Sequence, residues 1–250
     1  MSGHNKWSTI KHRKAAQDSK KGKVFTKLIK ELTIAARIGG GDAQSNPRLR
    51  SAIATARANS MPKENIDRAI KKGTGDLDGA DYEEIIYEGY APGNVAVIVE
   101  AMTDNRNRTS SSVRFAFTRS GGNLGATNSV QYMFDRRGII QVAKTVMSED
   151  ELMELALEAG ASDMNSDNLE TYEIITETSD FNDVQQALEN KGIQMLEAEI
   201  AWVPQNRVIV DDVKKAEQIM KLIDALEDDD DIQKVHSNFD ISEDVLRQLS

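Results

Sequence analysis

Four lysines spaced along one predicted helix are the residues whose chemistry is most easily read from the sequence. They fall at positions i, i+3, i+7 and i+10, so a helix would place them on one side as a ridge: Lys20, Lys23, Lys27 and Lys30. Ammonium groups in such a row bind phosphate oxygens, which makes the ridge a candidate contact for nucleic acid. Two alternatives stay open, a solvated helix face and a basic amphipathic helix on a membrane. The membrane alternative is weaker because the adjacent apolar stripe from Phe25 to Leu32 is needed for a protein core.

A short polar and basic arm precedes this helix. Its candidate nucleic-acid-binding residues are His4, Lys6, Trp7, Lys11, Arg13 and Lys14. Trp7 could stack on a base or a ribose, or it could anchor the arm by packing against the domain. The arm therefore extends the predicted phosphate-binding surface, and the role of Trp7 is open.

A second candidate site lies at the start of a predicted helix that follows Asp104 and Asn105. No Asp or Glu occurs between residues 105 and 134, and this stretch contains four arginines: Arg106, Arg108, Arg114 and Arg119. Backbone N–H groups at the helix start, together with Arg106, Thr109 and Ser110, could hold a phosphate. The alternative is that Asp104 or Asn105 caps the helix and that Arg106 and Arg108 are ordinary surface residues.

Nothing in the sequence predicts catalysis, a cofactor or a metal centre. The chain has no cysteine, which excludes disulfides, thiolate zinc sites and a cysteine nucleophile. His4, His12 and His236 lack the spacing of metal ligands, and the glycines of Gly121–Gly125 follow a predicted helix instead of opening one. The acidic run Glu227–Asp231 is expected to be a solvated loop, although a pair of carboxylates binding Mg²⁺ stays open.

Charge is unevenly distributed along the chain. Residues 1–80 contain seventeen Lys and Arg against seven Asp and Glu, a net charge of +10. Residues 81–250 contain fourteen against thirty-four, a net charge of −20. A strongly positive end on an acidic protein predicts a polyanionic partner for that end. No apolar leader follows Met1 and no run is long enough for a membrane span, so we expect a cytoplasmic protein without membrane contact.

Three short amphipathic helices should position the N-terminal cations. The first ends at Gly39-Gly40-Gly41, the second begins at Asn46-Pro47, and the third follows Ser60-Met61-Pro62 and closes at Gly73. The second and third helices supply further cations: Arg50, Arg57, Arg68, Lys71 and Lys72. A flexible linker, residues 73–79, is expected where the charge changes sign, so the helical domain should be able to reorient.

Strands and helices alternate in the remainder of the chain. The expected strands are Tyr82–Tyr90, Val95–Met102, Val130–Phe134, Ile139–Val142, Thr171–Thr176, Met195–Val203, Val208–Val210 and Ile232–His236. The expected helices follow Asn105 and Ser148 and occupy Asp180–Asn190 and Asp212–Leu226. Ala91-Pro92-Gly93-Asn94 joins the first two strands as a hairpin turn. This order favours α+β sandwiches over a doubly wound parallel sheet.

Several motifs spread over essentially the whole chain resemble the YebC family. They are the segments Gly3–Lys11, Lys20–Phe25, Met61–Ile66, Tyr87–Gly93, Thr103–Thr109 and Gly121–Gly125. The resemblance implies an α+β multidomain protein with an N-terminal three-helix domain and two ferredoxin-like α+β domains, one inserted in the other. The expected domains are residues 1–79, residues 80–134 with 206–250, and residues 135–205 as the insert.

The resemblance also implies a non-catalytic protein that binds nucleic acid and no small-molecule substrate. Some family members are treated as DNA-binding transcriptional regulators, and others act on ribosomes and assist translation past proline runs. The cations are spread over an arm, a ridge and a second domain, which suits irregular RNA better than a DNA groove. We therefore expect rRNA on the ribosome as the partner, with DNA-binding regulation as the alternative. A protein-partner adaptor that uses the acidic domains, or a metal-dependent enzyme, are further alternatives.

Overall fold

The structure, a computed structural model, describes the backbone of residues 18–249 and the side chains of residues 22–249. The helices of this part are α1 (Asp18–Gly39), α2 (Pro47–Ala58), α3 (Lys63–Thr74), α4 (Arg106–Arg119), α5 (Glu149–Glu158), α6 (Phe181–Asn190), α7 (Val213–Glu227) and α8 (Glu243–Leu249). The strands are β1 (Glu83–Ala91), β2 (Val95–Thr103), β3 (Asn123–Leu124), β4 (Phe134–Ala143), β5 (Ala161–Asn165), β6 (Thr171–Thr176), β7 (Met195–Pro204), β8 (Val208–Val210), β9 (Ile232–Ser237) and β10 (Phe239–Ile241). A short 3₁₀ turn, Gln131–Met133, precedes β4.

Helices α1 to α3 pack on one another around a small apolar core that includes Leu32, Leu49 and Ile66. The predicted start of α2 is confirmed, because the Asn46 side chain accepts a hydrogen bond from Leu49 N at 3.1 Å and Pro47 is the first helical residue. The predicted end of α3 at Gly73 is two residues too early. Gly73 lies inside the helix, where a Cβ atom would come 2.3 Å from the Thr33 carbonyl oxygen of α1, so glycine allows the two helices to approach closely. Gly75, with φ of 85°, is the residue that ends α3.

The first sheet has the strand order β3-β1-β2-β9. The predicted hairpin is confirmed, since β1 and β2 pair antiparallel with Ala91 opposite Val95. Alternate residues of β2 face helices α4 and α7, and Val97, Val99, Phe117, Ile219 and Leu222 lie fully buried in this core. One face of the sheet is therefore covered by two helices, and α4 is fixed to it by its apolar side.

The second sheet has the order β5-β6-β4-β7, with antiparallel pairing throughout. Its elements follow one another along the chain as strand, helix, strand, strand, helix, strand, which is the ferredoxin-like arrangement. Helices α5 and α6 cover it through Leu152, Val184 and Leu188. The first sheet takes strands from before and after this block, and the fold is α+β as expected. The domain boundaries given above stay a prediction.

The predicted strand Val130–Phe134 is wrong, and a buried carboxylate explains why. Glu88 of β1 accepts hydrogen bonds from the backbone N–H groups of Asn128, Val130 and Gln131 at 2.6, 2.8 and 2.9 Å. Three N–H groups that converge on one side chain are not available to a sheet partner, so the segment turns and the strand begins at Phe134. The sequence reading also missed β5, β10 and α8.

Ionic contacts join the three-helix domain to the first sheet. Arg48 of α2 bridges Glu31 of α1, at 2.7 Å from Nε, and Glu84 of β1, at 2.7 Å from NH2. Arg37 of α1 pairs with Asp81 and also donates to the Tyr82 carbonyl oxygen. The two parts are thus held together by charge as well as by the chain between them. None of the helices described here is long and apolar enough to cross a bilayer.

Candidate nucleic-acid interface

The lysines of the α1 ridge whose side chains are described face an acidic segment of the same chain, Glu227–Asp231. We call this segment the acidic loop. Lys23 pairs with the Asp228 carboxylate and lies 3.1 Å from the Asp228 carbonyl oxygen. Lys27 donates to the Glu227 carbonyl oxygen at 2.7 Å. Burial lowers the pKa of Lys27, against the opposing effect of Glu227 and the neighbouring loop acids. The ridge therefore meets internal acids in this conformation.

Lys30 is the most deeply engaged member of the ridge. Its side chain is only 7% exposed, and Nζ donates to Asp231 Oδ1 at 2.6 Å, Asp230 O at 2.8 Å and Met102 O at 3.2 Å. An ammonium group has three protons, and all three have acceptors here. Lys30 thus connects α1 to the end of β2 and to the acidic loop, and no proton of Lys30 is left for a phosphate.

Asp231 is buried, so the expectation of a fully solvated acidic run is wrong for this residue. Besides Lys30, its carboxylate receives Arg108 NH2 at 2.7 Å, the Thr109 hydroxyl at 2.7 Å and the Thr103 hydroxyl at 3.2 Å. Burial by itself would raise the pKa of Asp231, but the hydrogen bonds from Lys30, Arg108 and Thr109 outweigh it and lower the pKa to about 2.

The arginines at the start of α4 have different surroundings. Asn105 caps the helix, because its side chain accepts from Arg108 N at 3.1 Å. Arg108 pairs with Asp104 at 2.8 Å and with Asp231, and these bonds raise its pKa. Arg106 is exposed and lies 3.8 Å from the Glu83 carboxylate. Thr109 is buried and donates to Asp231, so two of the candidates that the sequence suggested at this helix start, Thr109 and Arg108, bind an internal carboxylate.

The remaining predicted site residues belong to the part of the chain that the structure does not describe in full. His4, Lys6, Trp7, Lys11, Arg13 and Lys14 lie outside the described residues, and Lys20 belongs to the α1 backbone with a side chain that is not described. Whether these residues contact nucleic acid stays a prediction.

Other cations are exposed and form no ion pair with any residue from 22 to 249: Arg50, Arg57, Lys63, Arg68, Lys71, Lys72, Arg114, Arg119, Lys191, Lys214 and Lys215. Six of them lie on α2 and α3, two lie on α4, two lie on α7, and Lys191 directly follows α6. Within those residues no cluster of three or more His, Asp or Glu side chains has the geometry to hold a metal ion. Helices α2 and α3 therefore carry the largest group of cations that are open to solvent among the described residues.

The buried and exposed residues of α4 follow the helical period. The spacing predicts Val113, Ala116 and Phe117 on the inner side of the helix, and all three are buried in the structure. Phe115 lies opposite this buried side of α4 and is 64% exposed, as the helical period requires. The predicted inward position of Phe117 is therefore confirmed, and Phe115 is left on the outer side of the helix.

The fold and these charged surfaces define a multidomain α+β protein with a small N-terminal helical domain. The model of the TACO1/YebC N-terminal domain matches residues 5–76, and the model of the TACO1/YebC second and third domain matches residues 82–239. The chain belongs to the TACO1/YebC family.

Relatives in other organisms share this organisation over their full length. A probable transcriptional regulatory protein of Geobacter sulfurreducens is 57% identical, with all of both chains covered. One from Desulforapulum autotrophicum is 56% identical, with 98% of each chain covered. The crystal structure of a conserved hypothetical protein from Aquifex aeolicus superposes with a TM-score of 0.84 at 49% identity, covering 90% of this chain and 93% of that one.

Proposed function

We propose that this chain is a non-catalytic regulator of gene expression that binds rRNA on the ribosome and assists translation, including past proline runs. The observation that carries the proposal is the set of exposed cations on α2 and α3 that form no ion pair with a described acid, in a chain whose net charge is −10. Such a local positive surface on an acidic protein is suited to the phosphates of a nucleic acid.

The distribution of these cations favours folded RNA over a DNA groove. Helix α3 presents exposed Glu64 and Asp67 on the same outer side as Arg68 and Lys71. Acids on that side would meet phosphates on both walls of a major groove, which makes α3 a poor recognition helix. Helix α2 has no Asn or Gln to read base edges. Contacts spread over several elements suit recognition of RNA by shape and phosphate.

DNA-binding regulation is the second candidate, and it is supported by the names of the relatives, which are called probable transcriptional regulatory proteins. The resemblance to the YebC family supports the translational role for other members. An adaptor that binds a protein through the acidic domains is separated from both by nuclease treatment, because a complex held by RNA dissolves when the RNA is digested.

The deciding experiment compares co-sedimentation with ribosomes and binding to duplex DNA at the same salt concentration. We expect binding to ribosomes to be the stronger of the two. Changing Lys71 and Lys72 to Gln should weaken it and flatten the dependence of log K on log salt by up to about 1.4 units, since each phosphate contact on irregular RNA contributes roughly −0.7.

The matched control is Lys214→Gln with Lys215→Gln, another adjacent exposed pair that lies on α7 in the acidic part of the chain. This pair should leave the salt dependence unchanged. Stronger binding to duplex DNA would favour the transcriptional candidate, and equal effects of the two double variants would argue against a specific surface on the three-helix domain.

A further inference from the structure

Helix α4 has an outer face that is polar and positive except for one aromatic side chain. The helix has four arginines and no acid. Phe115 is 64% exposed, and it is the sole large apolar side chain that α4 leaves exposed. Its neighbours on the outer face are Ser111, Arg114, Thr118 and Arg119. An aromatic ring is therefore presented to solvent among cations.

The core does not require this ring. Phe117, two positions further along, is fully buried and packs with Val113 and Ala116 against the first sheet and α7. Phe115 instead has Arg119 above it, with the guanidinium carbon 6.0 Å from the ring centroid. A cation over the ring orients it and adds positive potential beside its open surface.

The cation at Arg114 is open as well, because the described residues provide no acid within ion-pair distance of it. Helix α4 also borders a cleft of about 330 Å³ that is lined by Lys23, Arg108, Ser112 and residues 228–231. Ser112 lies one turn before Phe115, so the cleft and the aromatic ring belong to the same helix.

We propose that Phe115, Arg114 and Arg119 form a stacking site for an unpaired nucleobase and its phosphate in single-stranded RNA. This inference rests on the proposed function, since it names the part of the nucleic acid that α4 binds. The ring would stack on the base, and Arg114 would contact the phosphate.

The chemistry of the face selects this ligand over a protein or a duplex. A protein interface needs a contiguous apolar core, whereas Phe115 is isolated among polar and charged side chains. Bases in a duplex are already stacked on each other and offer no free face to a ring on a helix surface. An unpaired base is both apolar on its face and attached to an anionic phosphate, which matches the ring and the arginines together.

The test uses the full-length protein and a short single-stranded RNA that contains one fluorescent purine analogue, with the same sequence as a duplex for comparison. We expect stacking to quench the analogue in the wild type. Phe115→Ala should weaken single-strand binding about tenfold and abolish the quenching, because one base–aromatic stack contributes an effect of this order. Phe115→Trp should restore both, and Phe115→Leu should restore neither.

Leu169→Ala is the control, since Leu169 is 88% exposed in the loop between β5 and β6 and away from α4. If the wild type binds RNA but Phe115→Ala and Phe115→Leu bind and quench like the wild type, the stacking site is overturned while the proposed function stands. If the wild type binds neither ribosomes nor RNA, the proposed function fails and the stacking site fails with it. A single-stranded DNA of the same sequence shows whether the site depends on the ribose 2′-hydroxyl.

Discussion

At the residue scale, Asp231 is the buried carboxylate to which the surrounding charged and hydroxyl side chains donate hydrogen bonds. Lys30, Arg108, Thr109 and Thr103 all direct donors at its two oxygens. These are the donor types that hold a phosphate, but here they hold a carboxylate that the chain itself provides. A charge pair at this depth is favourable only while both partners are present, because either one alone would be buried without compensation.

We expect Asp231→Asn to lower the free energy of unfolding by about 3 kcal/mol at neutral pH, since it leaves the Lys30 ammonium group buried without a counter-charge. The carboxylate has a pKa of about 2 in the fold against an ordinary 3.8. Because the pKa of Asp231 is lower in the fold than in the unfolded chain, its ionised carboxylate stabilises the fold at pH values above 3.8. This contribution is lost as the pH falls from 3.8 toward about 2. The difference between variant and wild type should therefore narrow over that range.

Urea unfolding measured across this pH range checks the prediction. Asp228→Asn is the control, because Asp228 is 74% exposed and its loss should change stability by less than about 0.5 kcal/mol. Equal losses for the two variants, or a loss for Asp231→Asn that does not depend on pH, would contradict the role assigned to the Asp231 carboxylate.

At the element scale, the sequence predicted the positions of the lysines on α1 but not what they face. A period of three and four residues fixes which side chains share one side of a helix, and it carries no information on a loop about 200 positions away. Most helices and strands were predicted within a few residues because their apolar periods and caps are local signals. The segment Val130–Phe134 failed because its partner, Glu88, is remote in sequence.

The contact between α1 and the acidic loop predicts that substitutions of the loop acid and of the α1 lysine have opposite effects on the affinity for RNA. Asp228→Asn should increase the affinity for RNA, because it frees Lys23 from an internal competitor for phosphate. Lys23→Gln should decrease the affinity and flatten the salt slope by roughly 0.7. The double variant should behave like Lys23→Gln alone, since the loop acid acts through that lysine.

Fluorescence anisotropy at several salt concentrations measures these effects, with Asp244→Asn as an exposed acid elsewhere that should change nothing beyond the net charge. If Asp228→Asn and Asp244→Asn raise the affinity equally, only overall charge is involved and the contact between Asp228 and Lys23 has no part in binding.

At the scale of the whole molecule, the described part of the positive segment, residues 22–80, makes ion pairs with the acidic remainder of the chain. Residues 22–80 contain eleven Lys and Arg against six Asp and Glu, a net charge of +5, and residues 81–249 carry −20, so their attraction favours the docked arrangement and high salt weakens it. The sequence predicted the separation of charge and the class of fold. It did not predict the docking, because complementary surfaces on separate domains have no shared local pattern.

Separate fragments test this division. Residues 1–79 have their own apolar core, and we expect them to bind RNA while residues 80–250 bind much more weakly. Binding of the larger fragment should fall further with Phe115→Ala, since α4 supplies its one stacking site. Equal affinities of the two fragments in an anisotropy titration would refute the assignment of binding to the positive end.

The pairing of Lys30 with Asp231 also constrains the order in which this protein can be assembled. The two residues are 201 positions apart, and synthesis proceeds from the N-terminus, so α1 leaves the ribosome long before its acidic partner exists. The lysines of α1 are consequently uncovered throughout elongation, and docking of the three-helix domain is a late event of maturation. During refolding, amine labelling should report Lys30 as protected only after β9 has formed.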